Sequence, residues 1–424
     1  MSKRKKVQFG IRLTDSNRLT IPVILNQLES AKLDQYFDIL VLQNFQDVRK
    51  FAQQQPTGLL IYSFMTPHLP SVMEEVSQIR KMANRGLKLL SGGPHTSGNP
   101  LSSLKMGFDY AYAGPVETGF IRFIQKYLDQ QLPDIPAIFS APELDDLDRS
   151  LPISTIFNIS PPIEITRGCY WNCSYCQTSC QKARHRSFSS IQTYYQHLKK
   201  RGHHIRFNFI CPSAFEYGAV NPNKLNLPAI EQVLAYCKQN GTEYLEYGIF
   251  PSETRPNTFS PQMVDLIAHY CDNKKVAVGA QTGSDRLLKE IRRGHSLEDI
   301  ENACSLLAER NLQPLIDIIL GFPGEKNTDR RVTLKLIKEW LVKYRTRIQV
   351  HYFLPLSGTS LENSMPTVLD YKTIDTLEQY EKDGICTDWW KTGKELSRQL
   401  VEIRDRLNDL ELDYHQEDLI NNDI

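Results

Sequence analysis

The chain has 424 residues and a formal net charge of +1. That is too long for one core, so two or three domains are expected, and the charge selects no large polyanion such as a nucleic acid. Apolar residues make up 41% and charged residues 23%, the balance of an ordinary folded protein. No apolar run approaches the roughly 20 residues that span a bilayer. The basic run Lys3–Lys6 precedes no hydrophobic signal region; it reads as a solvated tail, and the chain as cytoplasmic with no membrane partner.

The first segment alternates between strands and helices. Strands are predicted over Val7–Leu13, Phe37–Leu42, Gly58–Tyr62, Leu87–Ser91 and Asp109–Ala113. Helices are predicted over Thr20–Lys32, Gln46–Gln54, Leu69–Asn84 and Glu117–Leu128. This alternation gives an α/β domain over 1–130 with a mostly parallel, doubly wound, Rossmann-like sheet. Ligands of such sheets lie beyond the carboxyl ends of the strands. The informative loops are therefore 63–68, 92–97 and 114–118.

Residues 131–162 hold Pro133, Pro136, Pro142, Pro152, Pro161 and Pro162 and the acidic patch Glu143–Asp148. They read as a linker with short extended pieces. A second series of strands follows, at Ile163–Thr166, Ile205–Cys211, Glu243–Ile249, Val276–Gln281, Leu315–Leu320 and Ile348–Phe353, with helical patterns between them. Six repeats fall short of the eight that close a full barrel, so 163–365 is expected to be an open, partial (β/α)6 TIM-like barrel. Residues 366–424 form a helical C-terminal extension anchored by Trp389 and Trp390, with an acidic tail beyond Leu410 that frays.

The stretch "RGCYWNCSYCQTSC", 167–180, crowds four of the nine cysteines together. It directly follows the first barrel strand, and the loop after a barrel strand opens onto the active-site face. Gly168 allows the sharp turn there. Clustered cysteines in a reducing compartment are metal ligands more often than disulfides. Structural zinc uses paired C-x2-C units and closes four positions; only one such pair is present, although Cys180 keeps a zinc site open as an alternative. Three thiolates on a cubane leave one iron unligated, able to bind a substrate or cofactor. Cys180 otherwise reads as a neutral loop thiol, and Cys211, ending a barrel strand, as a buried free cysteine. His295 reads as a capping or packing residue.

Cys169, Cys173 and Cys176 in C-x3-C-x2-C spacing, with the aromatic Tyr175 before the last, resemble the signature of the radical S-adenosylmethionine (radical SAM) enzymes. "VGAQTGSDRLLKEIRRGHSLEDI" (278–300), "LIDIILGFPGE" (315–325) and "IQVHYFLPLSGTSL" (348–361) resemble the fourth, fifth and sixth strands of that family's methylthiotransferase-like branch. The resemblance covers roughly 160–365. It implies a [4Fe-4S] cluster on Cys169, Cys173 and Cys176, and reductive cleavage of S-adenosylmethionine (SAM) to a 5′-deoxyadenosyl radical. It also places SAM contacts at Tyr175, Ser213, Glu253, Arg255 and Gln281. The family's Gly-Gly-Glu-like stretch after the second strand is replaced here by Cys211-Pro212-Ser213-Ala214-Phe215.

The front domain resembles a cobalamin-binding module in "GLLIYSFMTPHLPSV" (58–72), "LKLLSGGPHTSGNP" (87–100) and "GFDYAYAGPVETGF" (107–120). The resemblance implies cobalamin contacts at Ser63, Gly92, Gly93, Pro94, Gly114 and Glu117. The Asp-x-His-x-x-Gly motif that supplies a cobalt-ligating histidine in many cobalamin proteins does not occur in the chain. His68 and His95 lie in the right loops and read as hydrogen-bonding residues. Together the modules imply a cobalamin-dependent radical SAM enzyme that transfers a methyl group to a carbon of its substrate, with a flavodoxin or ferredoxin as electron donor. The alternatives are a radical SAM enzyme of other chemistry (rearrangement or thiolation) with a vestigial front domain, or a non-catalytic iron–sulfur redox sensor. No residue is assigned as catalytic from sequence, and the substrate is not legible.

Overall fold

Apolar stretches in the first 161 residues become parallel strands because helices cover both of their faces, leaving no polar side to alternate. The computed structural model describes residues 6–82, 86–157, 162–201, 206–412 and 420–421. Lys3–Lys5, Ala83 and Asn84, Ile205, and 413–419 of the acidic tail lie outside the described residues. The described chain divides into two units: Met1–Pro161 with Leu356–Gly358 and Gln399–Ile424, and Pro162–Pro355 with Thr359–Arg398.

In the first unit, β1 (Val7–Arg12), α1 (Thr20–Ser30), β2 (Phe37–Leu42), α2 (Phe45–Gln54), β3 (Thr57–Ser63), α3 (Leu69–Met82) and β4 (Gly86–Gly92) alternate in chain order. Two short helices follow, α4 (Pro94–Gly98) and α5 (Pro100–Lys105), then β5 (Tyr110–Ala113), α6 (Val116–Leu128) and β6 (Ala137–Ser140). Asn44 and Asn99 cap α2 and α5 by accepting from Asp47 N and Ser102 N. The sheet order is β6-β5-β4-β3-β1-β2, all parallel. The order reverses between β1 and β3, which is the switch point where such sheets receive ligands. One core cluster joins Phe9 and Ile11 of β1, Leu25 and Leu28 of α1, Phe123 of α6 and Phe139 of β6.

The stretch read as a linker contains a strand of this sheet. β6 pairs in register with β5, Ala137 opposite Tyr110 and Ser140 opposite Ala113, and Ala137, Ile138 and Phe139 are buried. Pro133, Pro136 and Pro142 flank this short apolar run without interrupting it, so no ladder N–H is lost. The tail also contributes: Ile420 and Asn421 pair with Ile138 and Phe139, where fraying was expected.

The second unit begins with β7 (Ile163–Glu164) and β8 (Thr166–Arg167), then β9 (Arg184–His185), α7 (Phe188–Lys200), β10 (Arg206–Phe207), β11 (Phe209–Ile210), α8 (Leu227–Gln239) and β12 (Tyr244–Leu245). It continues through α9 (Pro261–Tyr270), β13 (Lys275–Gln281), α10 (Asp285–Glu290), α11 (Leu297–Glu309), β14 (Gln313–Leu320), α12 (Asn327–Tyr344) and β15 (Arg347–Tyr352) to α13 (Tyr371–Lys382) and α14 (Trp389–Asp409), whose residues from Gln399 onward belong to the first unit. Parallel pairing runs β7 to β11, β10 to β12, and β13 to β14 to β15. Gly248 O, within the third predicted strand, accepts from Ala277 N of β13 at 2.7 Å, and Thr254, five residues beyond that strand, forms a parallel bridge to Val278. The sequential parallel series of an open half-barrel is therefore present. Its first three strands are broken into two-residue pieces, whereas β13–β15 are long and regular. The outer faces of β14 and β15 bury Ile316, Ile318, Val350 and Tyr352 against Trp340 of α12 and Leu377 of α13. The opposite face carries Asp317 and His351, whose Oδ1 and Nε2 lie 3.6 Å apart.

The turn after β14 is held by a buried ion pair. Glu325 accepts from Gly321 N at 2.8 Å and from Arg330 Nη1 at 3.1 Å. No helix among the described residues is long and apolar enough to cross a membrane.

Candidate active site

β8 delivers the chain into the cysteine loop, and β9 returns it antiparallel, with Thr166 opposite His185 and Arg167 opposite Arg184. Gly168, at φ +77°, makes the exit turn. The loop is closed on itself by Cys169 N to Gln181 O at 3.0 Å and Cys176 N to Cys173 O at 3.2 Å. Ser179 Oγ donates to Cys173 O at 3.0 Å and Cys176 O at 2.6 Å. His185 braces the base of the loop through Thr166 Oγ1 and the Tyr170 hydroxyl, each at 2.9 Å.

The three expected ligands share this loop but differ in surroundings. Cys173 is buried, Cys169 and Cys176 are half-buried, and Cys180 is exposed. Burial pushes the Cys169 thiol up to about 11. Burial also opposes ionisation of Cys173, but Arg293 and Arg255 outweigh it and bring that thiol below its ordinary value. Arg255 Nη1 lies 3.5 Å and Arg293 Nη1 3.6 Å from the Cys173 sulfur. Arg255 also stacks on the Trp171 ring at 4.0 Å, and Trp171 Nε1 donates to Glu216 Oε1 at 2.6 Å. Gly294 makes room for that indole, since a Cβ there would lie 2.5 Å from it. Arg293, Trp171 and Glu216 did not stand out in the sequence. The aromatics interleaved among the cysteines were the one local sign of this scaffold.

Among the described residues, no group of three or more His, Cys, Asp or Glu side chains is gathered around a single metal ion. A cubane takes its thiolates one per iron, so its ligands need not meet at one point. The donor set fits such a cluster: three thiols on one loop, with guanidinium groups able to balance thiolate charge.

The five expected SAM contacts sit around the carboxyl ends of the parallel strands. Tyr175 packs its ring 5.1 Å from Phe322, beyond β14, and burial pushes its hydroxyl up. Ser213 follows β11; it is 4% exposed and its Oγ has no hydrogen-bond partner. Glu253 follows β12, its carbonyl accepts from Ala214 N at 2.8 Å, and burial with nearby Asp317 pushes its carboxyl up to about 7. Gln281 ends β13 at φ +71°, a left-handed conformation that costs a non-glycine residue energy. Its Oε1 is buried without a partner. Arg255 differs from the rest, because it faces the cysteine loop directly. Buried orphan oxygens on Ser213 and Gln281 and a strained backbone at Gln281 are features that a bound polar ligand would account for. Cys211 donates to Ser213 O at 3.1 Å, and burial raises its thiol to about 12. His295 is buried, with Nε2 3.3 Å from Ala280 O.

In the first unit, Ser63 ends β3 and is buried, with its carbonyl accepting from Asn17 Nδ2 at 3.0 Å. Asn17 also donates to Arg12 O at 2.7 Å, so it ties the two strand ends together at the switch point. Gly93 has φ +87°, and a Cβ there would lie 2.7 Å from Phe64 N and 2.8 Å from Phe64 O. The chain's own backbone therefore requires that glycine. Gly92 has no such neighbour, its nearest atom being 3.8 Å from an added Cβ. Pro94 starts α4, and Gly114 N donates to Ser97 Oγ at 3.0 Å, ahead of Glu117 in the first turn of α6.

His95 is a hydrogen-bonding residue. Its Nδ1 meets Ser357 Oγ at 2.9 Å and Thr66 Oγ1 at 3.2 Å, and its Nε2 meets Ser102 Oγ at 3.0 Å. Its ring stacks on Phe64. Burial lowers its pKa to about 4. The unfolded imidazole binds its proton near 6.5, so between these values the unfolded state holds more protons and stability rises with pH. We expect about 3 kcal/mol, fully present above pH 6.5, to be lost as pH falls through about 4. Urea unfolding at pH 7 and pH 4.5 should show a shallower loss in His95→Gln than in the parent; equal losses would show that His95 does not titrate this way.

Comparison with known proteins bears on both units. Residues 163–337 match the family model described as the radical SAM superfamily. The tRNA-2-methylthio-N(6)-dimethylallyladenosine synthase of Chlorobium phaeovibrioides is 26% identical over 208 residues, covering 47% of this chain and 43% of that protein. The corresponding synthase of Methylibium petroleiphilum is 24% identical over 310 residues, covering 71% of this chain and 62% of its own. The chain thus spans between two fifths and two thirds of the length of these curated relatives. Among solved structures, the radical SAM methyltransferase TsrM of Kitasatospora setae, with cobalamin and a [4Fe-4S] cluster bound, has a TM-score of 0.58 at 14% identity, covering 85% of this chain and 77% of that one. The cobalamin-dependent radical SAM enzyme OxsB, with aqua-cobalamin and SAM bound, has a TM-score of 0.58 at 11% identity, covering 96% of this chain and 62% of that one. At these identities the likeness is one of fold. The cysteine loop and most of the half-barrel behind it lie in the segment, 163–337, that matches the radical SAM superfamily, a family that implies a [4Fe-4S] cluster and SAM, and the fold over most of the chain is similar to that of the cobalamin-dependent radical SAM enzymes TsrM and OxsB.

Proposed function

We propose that the chain is a cobalamin-dependent radical SAM enzyme that transfers a methyl group to a carbon of its substrate. One observation carries this reading: the fold likeness to TsrM extends over 85% of the chain, well beyond the 163–337 segment that the family model matches. The cluster and SAM supply a 5′-deoxyadenosyl radical, and cobalamin supplies the methyl group; the chemistry belongs to these groups, and the protein binds, orients and excludes water. Cys169, Cys173 and Cys176 hold the cluster. Ser213 Oγ and Gln281 Oε1 offer buried, unengaged oxygens to SAM, with Tyr175, Glu253 and Arg255 beside them. Ser63, Gly92, Gly93, Pro94, Gly114 and Glu117 line the strand ends that would receive the corrinoid, and His95 has both ring nitrogens engaged by hydroxyl groups. A flavodoxin or ferredoxin supplies the electron.

A second reading is thiolation, favoured by the similarity of the barrel to tRNA methylthio-synthases. The two readings separate on cobalamin. Anaerobically reconstituted protein given SAM and dithionite should release 5′-deoxyadenosine. Incubated with hydroxocobalamin and gel-filtered, it should carry corrinoid absorbance with the protein peak. Cleavage without co-eluting corrinoid would transfer the assignment to thiolation or another radical reaction. An intact cluster without cleavage would favour a redox sensor.

A further inference from the structure

Two buried cations face the cysteine loop with no carboxylate accepting from either among the described residues. Arg255 is 2% exposed and Arg293 is 8% exposed. Arg293 is fixed by Gly279 O, which accepts from its Nη2 at 2.9 Å and its Nε at 3.3 Å. Arg255 is fixed by the Trp171 ring and by Arg293 O. Nη1 of each points at the Cys173 sulfur, and Arg255 Nε is buried with no partner. A buried guanidinium without a bonded counter-charge is strongly destabilising; Glu253 acts on Arg293 only through space, and the side-chain atom that both guanidinium groups reach is the Cys173 sulfur, so a thiolate-ligated cluster is the anion that suits the pair.

We propose that Arg255 and Arg293 are positioning residues that set the reduction potential of the cluster. The inference rests on ligation of that cluster by Cys169, Cys173 and Cys176. An oxidised cubane core carries two positive charges against three thiolates, so the ligated cluster is already an anion. One electron from a donor of the flavodoxin or ferredoxin class adds a further negative charge; no bond breaks and no proton moves in that step. In a site with little water that charge is costly. Two guanidinium groups with N–H donors against one ligating sulfur lower the cost, and so raise the potential.

The test is an EPR-monitored redox titration of the reconstituted full chain without SAM, on the parent, Arg255→Gln, Arg293→Gln and the corresponding lysine variants. Each glutamine variant should shift the reduction equilibrium about tenfold toward the oxidised cluster, about 59 mV more negative for a one-electron couple. Each lysine variant, keeping the charge, should recover most of that shift. A guanidinium that served only SAM's carboxylate would change SAM affinity and leave the SAM-free potential unmoved, and that result overturns the proposal. The two arginines stand on different elements, so failure of one glutamine variant to load leaves the other to decide. Failure of both to load, alongside lysine variants that also fail, overturns the proposal in favour of a role in assembly. Iron and sulfide analysis of the parent separates this from failure of the ligand assignment, in which the parent itself would hold no cubane.

Discussion

Cys176→Ala should lose the brown cluster chromophore after anaerobic reconstitution, and release of 5′-deoxyadenosine should fall to background. Cys180→Ala should keep both. The reasons lie in the loop. Cys173 and Cys176 are locked together by the Cys176 N to Cys173 O hydrogen bond, and Ser179 Oγ bonds both carbonyls. Cys180 lies beyond this knot and is exposed. A cubane on three thiolates keeps one iron for SAM; with two protein ligands it has no defined site left. Iron and sulfide content measured beside the visible spectrum checks the outcome. Loss in Cys180→Ala with retention in Cys176→Ala would overturn the ligand assignment. A colourless protein holding one tetrahedral zinc in the parent would overturn the radical chemistry itself, since zinc carries no electron.

Gly168→Ala should be nearly as damaging, although a glycine has no side chain to offer a cofactor. The residue sits at φ +77°, where an L side chain adds roughly 1–2 kcal/mol of strain. A Cβ there would also strike the Lys182 carbonyl, with Lys182 C at 2.6 Å and Gln181 O at 2.7 Å. Both neighbours are backbone and cannot swing aside as a flexible side chain would. Gln181 O is the acceptor that fixes Cys169 N, so relief of the clash displaces Cys169, the first of the proposed cluster ligands. We expect a loss of about 2–4 kcal/mol in stability and a clear drop in iron bound per chain. Thermal unfolding and iron analysis of the variant check this. Unchanged iron content would show that the loop tolerates a shift of its closing turn.

Much of the architecture was legible in the residues. The run Phe37–Leu42 forms a strand with those bounds, and the strands around 57–63, 86–92 and 275–281 fall within a residue or so of where apolar runs and glycines placed them. These signals are local, since a βα unit writes its period and its breaks into one stretch of chain. β6 was missed because its three buried residues lie among prolines, and three residues are too few to show a period. Gly93 was legible as a special position, but the reason for it was not: the turn at Ser63–Phe64 crowds it.

By itself the sequence determined a two-part α/β chain, the C-x3-C-x2-C loop after the first barrel strand, and the chemistry that three thiols and an open iron allow. Spacing suffices there, because the three proposed ligands lie on one short loop whose conformation is set by near neighbours. Only the tertiary structure decided what surrounds that loop. Arg255 and Arg293 stand 82 and 120 residues along the chain from Cys173, and no local pattern marks them as its partners. Their approach depends on how β13 and the helix after it fold back, and a charge meets a thiol across that distance only when long-range packing has removed the water between them.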